Sequence, residues 1–215
     1  MASERRERVT PQDDVVTLGR ADIPAAARVL GTALADDPGF RHLMPDDGRR
    51  VGELSALYRL TLADTVRHGQ ALATSIGGVI TAVLAFYPAG HYPMTPARWA
   101  RSGLRVAALA LRAREHSAAL MRFAQLTAPA VPPQCWYFQA LGTRPDMQHG
   151  GRGGLLLRTA IALVDEAGES SYLETNTTDN VRYYERLGYE CIADPVPLAP
   201  GGPFVYEMLR PARSA

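Results

Sequence analysis

The sequence predicts an α/β (α+β) fold, with a mixed central sheet of six to seven strands covered by helices and a helical insertion between the third and fourth strands. Three observations predict it. The first is an aromatic and apolar run, Trp136 to Leu141, then a glycine-dense turn, then apolar residues at 156, 160, 163, 164 and 167. That order reads as strand, turn and helix, because the last positions recur at helical spacing. The second is Gly77-Gly78 between two strand-like runs, a two-residue turn that tolerates positive φ. The third is the stretch 88–134, bordered by prolines and carrying helical patterns where a minimal sheet would continue.

Taken in order, residues 1–14 are charged and aperiodic and are expected to form a disordered tail. One domain is expected over 15–211, followed by a short tail at 212–215. Val15 to Leu18 is a first strand, and Asp22 is expected to cap a helix that carries Pro24 in its first turn and runs to about Ala35. Asp36-Asp37-Pro38-Gly39 breaks that helix, and Phe40 to Met44 reads as an apolar-aromatic loop. A second helix covers Arg49 to His68. Ala71 to Ile76 and Val79 to Tyr87 form the hairpin, its second arm apolar on both faces, as in the middle of a covered sheet.

The insertion over 88–134 is expected to hold two helices, near Ala97 to Arg112 and Glu115 to Leu126. Arg98, Arg101, Arg105 and Arg112 share one helical face, which reads as solvated; contact with a phosphate or nucleic acid is the weaker alternative. After the Trp136–Leu141 strand, a helix over Leu155–Glu166 ends at Gly168. Ser171 to Thr175 is a strand, Thr178 or Asp179 caps a helix ending at Gly188, and Tyr189 to Ala193 and Phe204 to Leu209 close the sheet.

The turn Gln148-His149-Gly150-Gly151-Arg152-Gly153-Gly154 is the first chemical signal. Backbone N–H groups at a helix N-terminus, backed by the helix dipole, favour an anionic phosphate, and glycine lets a ligand approach the backbone closely. A Walker loop would need Gly-Lys-Ser/Thr at its end, and a dinucleotide fingerprint a glycine at the position of Leu156; neither fits. Two readings stay open on the loop alone: a phosphate cradle, or a glycine-rich left-handed turn before a core helix. The second signal is Tyr172-Leu173-Glu174-Thr175-Asn176 followed by Asn180-Val181-Arg182-Tyr183-Tyr184-Glu185-Arg186-Leu187-Gly188-Tyr189.

With Gln148, Gly151 and Gly153 in the register Gln-x-x-Gly-x-Gly, the loop resembles the acyl-CoA pyrophosphate loop of the GCN5-related N-acetyltransferases (the GNAT superfamily). The second segment resembles that superfamily's strand ending in Glu-Thr and its helix of the form Asn-x-x-x-Tyr-x-x-x-Gly-Tyr. The layout of the remaining chain is similar to the puromycin N-acetyltransferase branch. The resemblance implies acetyl-CoA as co-substrate, held by the amides of His149 to Gly154 with charge from Arg152. It implies that pantetheine pairs like a strand with Leu141-Gly142-Thr143, that the N–H near Leu141 is an oxyanion donor, and that Asn180 contacts the cofactor arm. Tyr184 is implied as general acid, since a phenol with pKa about 10 stays protonated at neutral pH and can donate to a thiolate of pKa about 8.5. Tyr183, about 100° away on a helix, is left to packing.

The base is not read from the motif. The strand before the loop carries Gln139 where many members of the superfamily have a glutamate, and an amide cannot take a proton. Glu174 is the best substitute; an ion pair or a cap is its structural alternative. His42, His91, His116 and Glu115 are weaker options, and an amine that binds already deprotonated needs no base. Cys135 and Cys191 have no local partner that would lower a thiol pKa, so a covalent route is set aside.

Lys+Arg 23 against Asp+Glu 22 in 215 residues gives no bulk pull toward nucleic acid or membrane. Two unpaired cysteines without metal spacing, and no signal-like apolar run, suit a cytoplasmic protein without a metal site. The expectation is an N-acetyltransferase on a primary amine of a small molecule, an aminonucleoside or other antibiotic, acting by direct attack as a monomer or homodimer. The alternatives are a protein N-terminal or lysine acetyltransferase and a non-catalytic acyl-CoA-binding module. An enclosed aromatic acceptor pocket would favour the small molecule, a wide acidic groove the protein.

Overall fold

The computed structural model describes residues 14–113, 116–120, 130–199 and 201–212. The strands are β1 (Asp14–Thr17), β2 (Gln70–Ile76), β3 (Val79–Tyr87), β4 (Cys135–Thr143), β5 (Ser170–Thr175), β6 (Glu190–Cys191), β7 (Val196–Pro197) and β8 (Phe204–Arg210). The helices are α1 (Ile23–Ala33), α2 (Pro38–Leu43), α3 (Asp47–His68), α4 (Pro96–Arg101), α5 (Gly103–Ala113), α6 (Arg152–Ala167) and α7 (Thr178–Glu185). The sheet order is β1-β2-β3-β4-β5-β8-β6, with β7 pairing on β8. Seven strands thus form the expected mixed sheet, and the two-residue β7 adds an eighth between β6 and β8 in the chain.

Neighbouring strands pair antiparallel except β4 and β5, which are parallel and joined by the α6 crossover. Gly77 and Gly78 take φ of 57° and 79° and close the β2–β3 hairpin. Side-chain alternation sorts the core into two layers. Ala71, Ala73, Val83, Ala85 and Ala140 face α1 and α3. Leu72, Leu84, Phe86, Trp136 and Phe138 face α6. The α1 side is built of small residues because α1 lies close: a Cβ on Gly142 would stand 2.9 Å from the Ala33 Cβ.

Several local expectations are corrected. Strand β1 begins at Asp14, inside the stretch read as tail, whereas residues 1–13 lie outside the described residues. Asp22 precedes α1 without capping it; its carboxylate accepts from the Gly19 N–H behind it instead. Phe40 to Met44 is not a loop, because Asp37 caps α2 by accepting from Gly39 N and Phe40 N. Thr177, rather than Thr178 or Asp179, caps α7 through Asn180 N. The first insertion helix is broken at Ser102 into α4 and α5. Of its four arginines, Arg101, Arg105 and Arg112 are exposed, but Arg98 is buried, since its guanidinium is neutralised by Asp64 of α3. The second insertion helix falls mostly outside the described residues. Among the described residues, no helix is long and apolar enough to cross a membrane.

Candidate active site

The site begins where β4 and β5 part. Their parallel pairing runs from Cys135↔Ser170 to Phe138↔Leu173 and stops, although β4 continues to Thr143 and β5 to Thr175. At the same point the β3–β4 register slips: Ala85 pairs with Ala140 and Phe86 with Phe138, leaving Gln139 as an extra residue in β4. A bulge bends its strand and increases the local twist, which opens the V between the strands. Residues 139–143 therefore keep β3 on one side and, among the described residues, have no strand on the other. Backbone amides on that free edge can pair with an extended, amide-bearing chain.

The glycine loop closes one end of the V. Gly151 takes φ of 78° at the N-cap of α6, and His149 takes φ of 63°. Two left-handed residues so close together turn the chain sharply, so that the first N–H groups of α6, which have no carbonyl partner inside the helix, face outward. Gln148 ties the loop back to the strand end, its Nε2 donating to Thr143 O at 3.3 Å. Arg152 folds over Gly150 and donates from Nη1 to Met147 O at 3.3 Å, so its guanidinium braces the turn. A groove of about 450 Å³ runs along this loop, lined by Leu141, Gly142, Thr143, Gln148, His149 and Gly151 to Gly154, with Asn180, Tyr183 and Tyr184 opposite.

Past Leu141 the groove meets a second space of about 210 Å³ that passes between the splayed strands. Leu34, Leu141, Asn180 and Tyr184 line both, so the two are continuous. Tyr184 therefore stands at the junction of the loop groove and the inner cavity. Burial pushes its phenol upward, with the neighbouring Tyr183 and Asp37 adding to the shift, so the hydroxyl holds its proton. Tyr183, read from sequence as packing, lies along the groove, and a Cβ on Gly154 would stand 3.1 Å from its hydroxyl.

Glu174 lies in the inner cavity at the end of β5. Tyr137 OH donates to its Oε2 at 3.0 Å and Tyr172 OH to its Oε1 at 3.2 Å. Burial pushes its carboxyl up to about 7; the two phenol hydrogen bonds hold it down and Glu207 pushes it further up. Among the described residues no arginine pairs with its carboxylate, whose partners are the two phenols. Gln139 also lines the cavity, with its Oε1 3.5 Å from Thr65 Oγ1.

The other base options lie elsewhere. His116 is buried against Glu53 at 2.8 Å, and neither it, His42 nor His91 lines the cavity. Glu115 lies outside the described residues. Cys135 is buried and Cys191 exposed, and both thiols are pushed upward, chiefly by burial, which opposes thiolate formation. Among the described residues no group of three His, Cys, Asp or Glu side chains gathers to hold a metal.

Several lining residues carry no signal in the sequence. Asp37, Tyr58 and Thr61 come from the cap of α2 and from α3. Arg158, one turn into α6, lies beside Gly154 in the groove. Only Arg158 was findable, as the cation following the loop on the same helix; the rest are brought in by tertiary packing.

This architecture has close counterparts among solved structures. A Corynebacterium glutamicum protein described as histone acetyltransferase HPA2 and related acetyltransferase aligns with a TM-score of 0.68 at 23% identity, covering 94% of this chain and 98% of that one. The PaiA N-acetyltransferase of Thermoplasma acidophilum, solved with coenzyme A, aligns with a TM-score of 0.56 at 10% identity over 93% and 99% of the two chains. A GNAT family acetyltransferase of Brucella melitensis, solved with acetyl-CoA, aligns with a TM-score of 0.50 at 14% identity over 95% and 93%. The family model described as Acetyltransferase (GNAT) family matches residues 78–189, from the β2–β3 turn through the loop, Glu174 and Tyr184. More than half of the sequence lies in that match, and the chain belongs to the GNAT acetyltransferase family.

Proposed function

We propose that the protein is an N-acetyltransferase that moves the acetyl group of acetyl-CoA to a primary amine of a small molecule, by direct attack in a ternary complex. The observation that carries the reading is the continuity of the glycine-loop groove with an inner cavity that holds Glu174, with Tyr184 at the junction. The groove fits the cofactor: outward amides at the α6 N-terminus suit a pyrophosphate, and the free edge of residues 139–143 suits the amides of pantetheine. Leu141, Gly142, Thr143, Gln148 to Gly154 and Asn180 are the residues proposed to hold it. Acetyl-CoA, when bound, supplies an activated acyl group on a sulfur leaving atom.

Glu174 is the proposed base. With its carboxyl near 7 it is substantially ionised at neutral pH and still basic enough to receive a proton from the amine nitrogen. The apolar wall favours the neutral amine by desolvating its charged form. Tyr184 keeps its proton and is proposed to donate to the sulfur as it leaves. The N–H near Leu141 is the proposed donor to the carbonyl oxygen.

The aromatic lining, with Phe40, Tyr58, Tyr92 and Tyr137 among its members, supports a small acceptor over a protein segment. A helical segment between β3 and β4 supports the likeness to the puromycin branch, and with it an aminonucleoside or other antibiotic as acceptor. The test is free-thiol release from acetyl-CoA over a panel of amines, with Glu174→Gln and Tyr184→Phe as controls. Binding of the cofactor without turnover on any amine, and variants indistinguishable from the parent, would instead identify a non-catalytic acyl-CoA-binding module.

A further inference from the structure

Two phenols grip the carboxylate of Glu174, one on each oxygen. Tyr137 OH donates to Oε2 at 3.0 Å and Tyr172 OH to Oε1 at 3.2 Å. The strand register explains the arrangement. Tyr137 and Tyr172 are partners in the parallel β4–β5 ladder, one pair before it ends at Phe138↔Leu173. Glu174 lies two residues past Tyr172, on the same face of β5, so the Tyr172 phenol runs alongside it. Tyr137 reaches it from the neighbouring strand, across the start of the V. Both tyrosines are buried, and burial pushes each phenol well above its ordinary value, so both keep their protons and face the carboxylate as donors. The Tyr92 ring packs on Tyr137 with centroids 4.4 Å apart and braces the ring that makes the shorter bond.

Such a grip does two things to a base. An ionised carboxylate has about four acceptor sites, and the phenols take one on each oxygen, which orients the group and leaves the others for a substrate proton. A hydrogen bond to the charged form also favours that form. The second effect matters because other neighbours oppose ionisation. Burial pushes the Glu174 carboxyl up, the two phenols hold it down, and Glu207, its cross-strand partner on β8, pushes it up again. Tyr92 of the insertion lies within electrostatic reach of Glu174, and Asp37 at the α2 cap, Tyr58 of α3 and Tyr184 of α7 line the same cavity. We propose that Tyr137 and Tyr172 are positioning residues, a two-phenol clamp that orients Glu174 and keeps it ionised to receive the amine proton, with Tyr137 the stronger of the two. The inference rests on the acetyl-transfer reading above and adds to it two residues that act through the base.

The first measurement needs no acceptor. The Glu174 carboxyl is titrated by carbon-13 NMR in protein labelled at the glutamate side-chain carboxyls, its signal assigned by its loss in Glu174→Gln. The parent midpoint is expected near 7. Tyr137→Phe should raise it by about one pH unit and Tyr172→Phe by about half a unit, in the order of the two bond lengths. Tyr189→Phe removes a different buried phenol, bonded to Ser171 Oγ at 2.8 Å, and should leave the midpoint in place. An unchanged midpoint in both clamp variants overturns the proposal, and so does an equal rise in Tyr189→Phe. Should Tyr137→Phe not fold, Tyr172→Phe decides. Kinetics then tests the role on any amine of the panel that turns over. The acid limb of kcat/KM should move with the midpoint, so that Tyr137→Phe loses about tenfold at pH 6 and little at pH 9, with the KM for acetyl-CoA held. The amine's own ionisation is common to all variants, so a displacement between them belongs to the enzyme. A loss of equal size at every pH overturns the positioning role, because disturbed packing acts without regard to pH. If no amine turns over, the acetyl-transfer reading has failed separately, and the NMR midpoints still decide whether the phenols clamp Glu174.

Discussion

Arg98 of the insertion and Asp64 of α3 form a buried ion pair with two hydrogen bonds, Nε to Oδ1 at 2.9 Å and Nη2 to Oδ2. Both side chains are less than 10% exposed. Further hydrogen bonds surround the pair. Arg98 Nη1 donates to His91 O at 2.6 Å, and Tyr87 OH donates to Asp64 Oδ2 at 2.9 Å while accepting from Thr65 Oγ1. The guanidinium lies 5.6 Å from the centre of the Tyr87 ring. Tyr87 packs on Tyr92, Tyr92 on Tyr137 at 4.4 Å, and Tyr137 donates to Glu174. The pair thus docks the insertion on the scaffold at the far end of an aromatic stack that reaches the proposed base.

Removing the arginine alone should be costly. Arg98→Met leaves Asp64 buried without its cation and should lose about 3–5 kcal/mol of stability. Adding Asp64→Asn should recover part of that, because a neutral amide is far cheaper to bury than a lone carboxylate. Urea unfolding of both variants checks this. A single variant within about 1 kcal/mol of the parent would mean that the pair does not hold the insertion down.

The carboxyl of Glu174 sets a pH dependence with a definite sign. As a base it must be ionised, so kcat/KM should rise with pH through an apparent pKa near 7. Glu174→Gln should lower activity about 10²–10⁴-fold and remove that limb. Stability should move the other way. Between its ordinary value of 4.5 and about 7 the folded protein binds more protons at this site than the unfolded chain, so the contribution falls as pH rises through that window. Glu174→Gln should therefore gain stability relative to the parent at pH 8, by about 1–3 kcal/mol, and gain little at pH 4. Thermal unfolding at the two pH values reads the difference.

The adjacent tyrosines should separate by kinetics. Tyr184→Phe removes a donor at the sulfur position and should reduce kcat by about 10²-fold or more, with the KM for acetyl-CoA nearly unchanged. Tyr183→Phe removes a hydroxyl beside Gly154 and should act mainly on cofactor affinity. Equal effects from both would refute the register that points Tyr184 at the reaction.

The sheet, the hairpin and the crossover were legible because each rests on local chemistry: positive-φ glycines at 77, 78 and 168, an unbroken apolar run in β3, and a period near four in α6. The loop and α7 were legible because their residues lie within one or two turns of each other. The α7 cap was placed one or two residues late because Thr177, Thr178 and Asp179 are all competent caps and only the backbone angle of Thr177 selects one. Arg98 was misread because its partner lies 34 residues earlier, and no helical spacing reveals a cation that tertiary contact has neutralised. The cavity walls were illegible for the same reason. Asp37 reads as a helix breaker until the fold places it in the cavity that also holds Glu174.

Two glycines of the loop should fail for different reasons, which tests the cradle itself. Gly151 holds φ of 78° with nothing within 4 Å of an added Cβ, so Gly151→Ala meets no clash. It should cost about 1–2 kcal/mol of strain, relieved only by moving the amides that follow, and weaken coenzyme A together with stability. Gly154 is inside α6 with ordinary helical φ, but a Cβ there would stand 3.1 Å from both Arg158 Nη1 and Tyr183 OH, in the groove itself. Gly154→Val should therefore weaken coenzyme A by about tenfold or more while the melting temperature changes little, the bulk falling on the ligand rather than on the core. Calorimetric titration with coenzyme A, set beside thermal unfolding of the same two variants, reads the contrast. Unchanged affinity in Gly154→Val would mean that the diphosphate is held somewhere other than the start of α6.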